Sequence, residues 1–201
     1  MLNVFESPNC EYFVPEKAMY DSAFIRYEPT ARNDSSLLSD LHSIGNGFIP
    51  LHIPFTVRIK PYRELTESEK RFTVMKRITG DESEVERVEW NSEWAKASFV
   101  RFGMFILLMD TLPPVLHPER SYSRANLSKS NRIAFTVTDN NGRFKNFRAE
   151  LDGKWLRFTN DKGRKFIYNF DEKCARGEHE LVVSVQDEAG NISRSSYRFT
   201  R

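Results

Sequence analysis

The side chains suited to acid–base, nucleophilic or metal chemistry are few and widely spread. Histidines stand at His42, His52, His117 and His179, and cysteines at Cys10 and Cys174. Zinc sites place nitrogen, sulfur and carboxylate ligands at short, fixed spacings, and the sequence contains no H-x-H, H-E-x-x-H or C-x-x-C. Asp40, His42 and His52 make one compact set of potential ligands, which reads as polar loop surface, so no metal is expected. A catalytic cysteine needs a base held against it. His179 lies five residues beyond Cys174, with a hairpin turn expected between them. There is no G-x-S-x-G elbow, phosphate loop or dinucleotide fingerprint. Asp171 and Glu172 are adjacent, and neighbours on a strand point to opposite faces, so they cannot jointly grip one bond. The expected sets of catalytic residues, metal ligands and cofactors are therefore empty. The binding residues stay unknown, and the chain is not expected to be an enzyme.

Aromatic rings give a second kind of chemistry, because an exposed ring can stack on a sugar. Trp155, between Leu151 and Phe158, reads as core. Trp90 and Trp94 lie in and beside an acidic stretch, and packing is the expectation for both. That stretch, residues 81–93, holds six acids and one base. It lacks a recognised calcium-ligand spacing and reads as a solvated hairpin. In "QDEAGNIS", Asp187, Glu188 and Asn191 are too few for a six-to-eight-coordinate ion. A turn is expected instead, with Gly190 at positive φ and Asp187 accepting bonds from backbone amides. Net charge is +2, too small to argue for nucleic acid. Residues 1–114 carry 13 Lys and Arg against 17 Asp and Glu (net −4), and residues 115–201 carry 17 against 11 (net +6). This asymmetry reads as ordinary scatter or as two domains of opposite sign.

The elements that would position these residues are strands. In 201 residues, 39% are hydrophobic and 13% aromatic, including 16 Phe; such rings favour strands and large cores. Period-two alternation marks a strand with one face on a core. It runs through Ile53, Phe55, Val57 and Ile59, and through Phe105, Leu107 and Met109, where Ile106 and Leu108 suggest burial on both faces. It recurs in Ile133–Phe135–Val137, Phe147–Ala149–Leu151, Phe166–Tyr168–Phe170, Leu181–Val183–Val185 and Tyr197–Phe199. Turn signals separate these runs at 139–142, 152–153, 160–163, 176–177 and 187–191. The fold class expected is all-β, as two tandem antiparallel β-sandwich (immunoglobulin-like) domains over residues 1–112 and 118–201. Pro113 and Pro114 fall in a stiff linker within 110–119. Residues 31–47 show no period and read as a long loop, and helical periodicity is nearly absent. The cysteines fall in different halves and are expected to be free and structural. No apolar run approaches the ~20 residues of a membrane helix. The opening "MLNVFESPNC" lacks the parts of a signal peptide, which fits either a cytoplasmic protein or a mature form or excised piece with an added Met, the second being the expectation.

Five segments carry a family resemblance. "FRAELDGKWLRF" at 147–158, "FIYNFDE" at 166–172 and "GEHELVVSVQDEAGN" at 177–191 together resemble the final Ig-like domain of lysostaphin/LytM-type zinc metallopeptidases, which are peptidoglycan endopeptidases. "FIPLHIPFTVRIKP" at 48–61 and "FVRFGMFILLMDTLPP" at 99–114 resemble the preceding domain of those enzymes. The resemblance implies an extracytoplasmic location, in the periplasm or cell envelope, and a parent that cuts peptidoglycan cross-links. The family's zinc is held by a histidine, an aspartate and an H-x-H pair in a separate upstream domain, and none of those motifs occurs here. The expectation is a non-catalytic accessory module that positions or targets a cell-wall metallopeptidase. The alternative is a stand-alone adhesion or assembly protein of the envelope. Expected partners are peptidoglycan or an envelope protein, plus an upstream peptidase domain in a longer parent. No nucleic acid partner and no membrane-spanning segment are expected.

Overall fold

The structure is a computed structural model that describes residues 3–34, 36–142 and 144–201. It divides into two compact units, Met1–Thr111 and Leu112–Arg201. The first contains β1 (Asn3–Glu6), β2 (Cys10–Val14), β3 (Tyr27–Thr30), β4 (Leu41–Ile44), β5 (Pro50–Ile59), α1 (Glu67–Arg71), β6 (Thr73–Thr79), β7 (Glu82–Arg87), β8 (Glu89–Asn91), β9 (Trp94–Arg101) and β10 (Gly103–Met109). These build two five-stranded antiparallel sheets, ordered β1-β2-β5-β9-β8 and β3-β4-β10-β6-β7. The inward faces meet in an aromatic core. Phe55 lies 5.7 Å from Phe105 between ring centroids, and Phe99 lies 4.9 Å from Phe105, so the rings bridge the sheets.

Phe55, Val57 and Ile59 are buried as the alternation requires, whereas Ile53 is exposed. The β5–β9 register shifts between Pro50 and Phe55, which puts Ile53 out of phase with the rest of the strand. Ile106 is buried along with Phe105 and Leu107, as a strand covered on both faces should be. Residues 31–47 depart from the loop expectation, since β4 lies within them, paired with β3 and β10. Leu41 and His42 are both buried, so this strand shows no two-residue period to read. The acidic stretch supplies β7 and β8, each at the edge of its sheet. Charged side chains there discourage pairing with another chain. The one helix among the described residues, α1, is set by Thr66 and Glu69. The Thr66 hydroxyl accepts from the Glu69 amide and the Glu69 carboxylate accepts from the Thr66 amide, forming a capping box.

The second unit contains β11 (Val115–Pro118), β12 (Ala125–Asn126), β13 (Arg132–Thr138), β14 (Phe144–Leu151), β15 (Lys154–Leu156), β16 (Thr159–Asp161), β17 (Lys165–Asn169), β18 (Glu178–Asp187) and β19 (Ile192–Thr200). Its sheets run β11-β13-β17-β16 and β12-β19-β18-β14-β15. All pairs are antiparallel except β12 with β19. Residues 115–118, expected within the linker, pair with β13 as an edge strand. Pro118, which has no N–H to donate, is tolerated at an edge. Ile133, Phe135, Val137, Ala149, Leu151, Leu181, Val183, Val185 and Phe199 are all buried. Phe147 stacks on Phe166 with centroids 3.8 Å apart, joining the two sheets. Tyr122 is fully buried; its hydroxyl donates to the Ala134 carbonyl (3.1 Å) and accepts from the Ala134 amide (2.8 Å).

Trp155 corrects the sequence reading, because it is 58% exposed. Asp152 and Gly153 both take positive φ, 50° and 77°, and form a two-residue hairpin. That turn pairs Leu151 with Lys154, Glu150 with Trp155 and Ala149 with Leu156. Inward positions on β14 are odd-numbered, and crossing the turn makes them even-numbered on β15. Leu156 therefore enters the core and Trp155 shares the outer face with Glu150.

Candidate binding site

One end of the first unit carries a broad concave feature. The chain leaves β5 at Lys60, runs through Pro61, Tyr62, Arg63, Glu64 and Leu65, and enters α1 beside the β8–β9 hairpin. Together they line a cavity of about 600 Å³ whose walls include Trp90 and Tyr62. Trp90 is half-buried and packs on the core, as expected; its indole N–H donates to the Lys70 carbonyl at 3.1 Å. The Lys70 ammonium sits 5.7 Å from the Trp90 ring centroid, within cation–π range. Tyr62 is 53% exposed, and its hydroxyl donates to the Asp40 carboxylate at 2.5 Å. Burial, with that bond, holds the Tyr62 phenol above its ordinary range. Lys60 pairs with Glu93 at 2.7 Å across the rim. Arg63 pairs with Glu69 at 2.5 Å, and this bond, with those from Thr66, holds the Glu69 carboxyl down at about 2.

A smaller cavity of about 200 Å³ shares Lys60, Pro61 and Tyr62 with the first and adds Asn9, Asp40 and His42. His42 lies on β4 on the same face as Ile44, which packs into the core. One ring nitrogen, Nδ1, is 2.9 Å from the Tyr27 hydroxyl, and the two rings stack at 15°. The other, Nε2, is buried without a hydrogen-bond partner among the described residues. Burial lowers the His42 pKa, against an opposing pull from Asp40. The structure thus brings together two members of the Asp40–His42–His52 set. His52 is exposed elsewhere on β5, with Nδ1 3.2 Å from the Tyr20 hydroxyl.

The remaining sequence-marked residues have structural partners. Trp94 is covered by the Arg58 guanidinium, 5.3 Å from its ring centroid. Cys10 and Cys174 are free and buried. Burial pushes the Cys10 thiol up to about 12 and raises that of Cys174 as well, the opposite of activation. In the second unit His179 has both nitrogens engaged, Nδ1 with Asp152 and Nε2 with the Ala175 carbonyl, each at 2.7 Å. Burial opposes charge on this ring, but its two acceptors prevail and raise its pKa. Asp187 is buried and accepts from the Gly190 and Asn191 amides and from the Asn191 side chain. Gly190 takes φ 96°, as the turn chemistry requires. The sequence reading missed Tyr62 and α1. Thr66-x-x-Glu69 was a legible helix start, whereas nothing local to "KPYREL" shows that Trp90 will stand beside it.

The fold defines the class: tandem antiparallel β-sandwich modules of the accessory or binding kind. A family model of the Zu5-like domain matches residues 1–110, more than half of the chain, and the chain belongs to that family. Residues 121–200 match the model of a bacterial Ig-like domain. No curated protein matches the chain. Among solved structures, the endo-beta-1,4-mannanase from Thermotoga petrophila is similar at 13% identity and TM-score 0.38 over 45% of this chain. The chain spans 20% of that mannanase chain. The fibronectin(III)-like modules of Clostridium thermocellum CbhA are similar at 13% identity and TM-score 0.33, over 74% of this chain and 84% of theirs. Among the described residues no helix is long and apolar enough to cross a membrane.

Proposed function

We propose that this chain is a non-catalytic module of a bacterial cell envelope that holds a peptidoglycan-type glycan in the Tyr62–Trp90 groove and so positions or targets a cell-wall metallopeptidase. The groove carries the reading. Its volume lies within the range of small-ligand sites. It sets two aromatic rings among lysine, arginine and glutamate side chains, the mix that lets a saccharide stack and hydrogen-bond at once. Bacterial Ig-like domains are often extracellular, which supports the location. The segments at 147–191 that resemble the final domain of LytM-type enzymes support the link to a peptidase. The test is co-sedimentation with purified peptidoglycan sacculi. Wild type should pellet with them, and Tyr62→Ala, which changes an exposed ring, should weaken binding about ten-fold, near 1.4 kcal/mol. Equal binding by wild type and Tyr62→Ala, or no binding by wild type, rejects the reading.

A stand-alone adhesion or assembly protein is the second reading. It is favoured by Tyr20, Phe24 and Phe48, which are 77%, 90% and 87% exposed on connections of the first unit. Large apolar rings left in water are typical of surfaces that meet a partner. Loss of envelope-protein binding in Phe24→Ser with Phe48→Ser, and no effect of Tyr62→Ala, is the outcome this second reading expects.

A further inference from the structure

A side chain that lines the smaller cavity, His42, carries a buried polar atom with no hydrogen-bond partner among the described residues. Native interiors satisfy nearly all such groups, so an orphan calls for an explanation. His42 is 1% exposed, is fixed through Nδ1 by Tyr27, and lines the cavity together with Asn9, Asp40 and Lys60. Its Nε2 is buried and makes no hydrogen bond of its own among the described residues. The cavity shares Lys60, Pro61 and Tyr62 with the groove, so one extended molecule can occupy both.

Resting on the glycan reading of the groove, we infer that this pocket takes an uncharged hydrogen-bonding substituent, a hydroxyl or an amide, of the saccharide that lies against Tyr62 and Trp90. The charge pattern argues for a neutral guest. Asp40 and Lys60 line the pocket with opposite signs, and each already has a partner, Tyr62 and Glu93 respectively. Burial lowers the His42 pKa against the pull of Asp40, which favours the uncharged ring over the charged one. A hydroxyl or amide both donates and accepts, so it satisfies Nε2 in either tautomer and can bond Asn9 or Asp40 in the same pose. An unmatched buried acceptor or donor also discriminates sharply, since a saccharide lacking the substituent leaves it unpaired.

Chitotetraose is the probe, added to the full chain labelled with 15N, with the imidazole nitrogens followed by long-range 1H–15N correlation. Binding should shift His42 Nε2 with the same saturation curve as signals from Tyr62, and should leave His117 and His179 in place. His42→Phe keeps a flat ring over Tyr27 and removes the orphan nitrogen. It should weaken chitotetraose binding about ten-fold while the melting temperature stays near that of wild type. Tyr62-dependent binding that leaves His42 Nε2 unmoved, or an unchanged Kd in a folded His42→Phe, overturns the pocket assignment and spares the groove. If His42→Phe does not fold, the wild-type nitrogen shift decides alone. Absence of any chitotetraose binding overturns pocket and groove together.

Discussion

The two units are both antiparallel sandwiches, yet they use their polar side chains in opposite ways. In the Ig-like unit, polar side chains lock the frame. Tyr122 closes on Ala134 through both donor and acceptor, Asp187 accepts three bonds from its own turn, and Asp152 ties a hairpin to β18 through His179 and the Glu180 amide. In the Zu5-like unit, long connections leave a groove at one end, bare aromatic rings on others, and a histidine with one nitrogen unmatched. The difference is one of use: the first unit leaves a polar group of His42 unmatched beside its groove, whereas the second engages Tyr122, Asp152 and Asp187 in its own backbone.

The largest expected effect tests whether the two units are energetically separate. Phe55 is fully buried and touches Phe102 and Phe105. Phe55→Ala should cost the first unit about 3–5 kcal/mol. Native-state hydrogen exchange should show faster opening for β5, β9 and β10, while amides of β13 and β18 keep their protection. Equal loss of protection in both units would mean one cooperative body and would remove the comparison.

A smaller effect probes the locked frame through pH. His179 has its pKa raised by Asp152 and Ala175 in spite of burial, and Asp152 has its own lowered by the Glu180 amide and His179 in spite of burial. The contribution of His179 is therefore complete below the ordinary histidine value of about 6.5 and is lost as pH rises through the higher folded value. The contribution of Asp152 is present above the ordinary aspartate value and is lost as pH falls through its lower folded value. Between about pH 6 and about pH 8 the melting temperature of wild type should fall relative to His179→Gln, which cannot titrate there. Parallel curves for the two proteins would show that the ring adds no charge to the frame.

The smallest effect concerns Trp155. An exposed ring on the outer face of an edge strand should contribute little, and Trp155→Ala should change stability by less than about 0.5 kcal/mol in denaturant unfolding. A loss of several kcal/mol would place the ring in packing that the register of β14 and β15 does not allow.

Much of the frame was legible in the chain. Alternation at Ile133–Val137, Phe147–Leu151, Phe166–Phe170 and Leu181–Val185 marked the strands of the second unit, because a two-residue period is what a half-buried strand imposes. The turn at Asp187–Asn191 was legible as well, since Asx chemistry and a glycine at positive φ act within five residues. Free, buried cysteines followed from their placement in separate halves. Tertiary structure alone decided the rest. β4 was hidden because burial on both faces erases the period. Trp155 was misread because the two-residue hairpin at Asp152–Gly153 reverses which parity faces inward. The groove was invisible because Tyr62 and Trp90 are far apart in the chain and line one cavity only when the exit of β5 folds beside α1 and the β8–β9 hairpin. Local rules fix what a segment becomes, whereas a site is a coincidence of segments. The unmatched nitrogen of His42 depends on every neighbour that fails to reach it, and no sequence pattern records that.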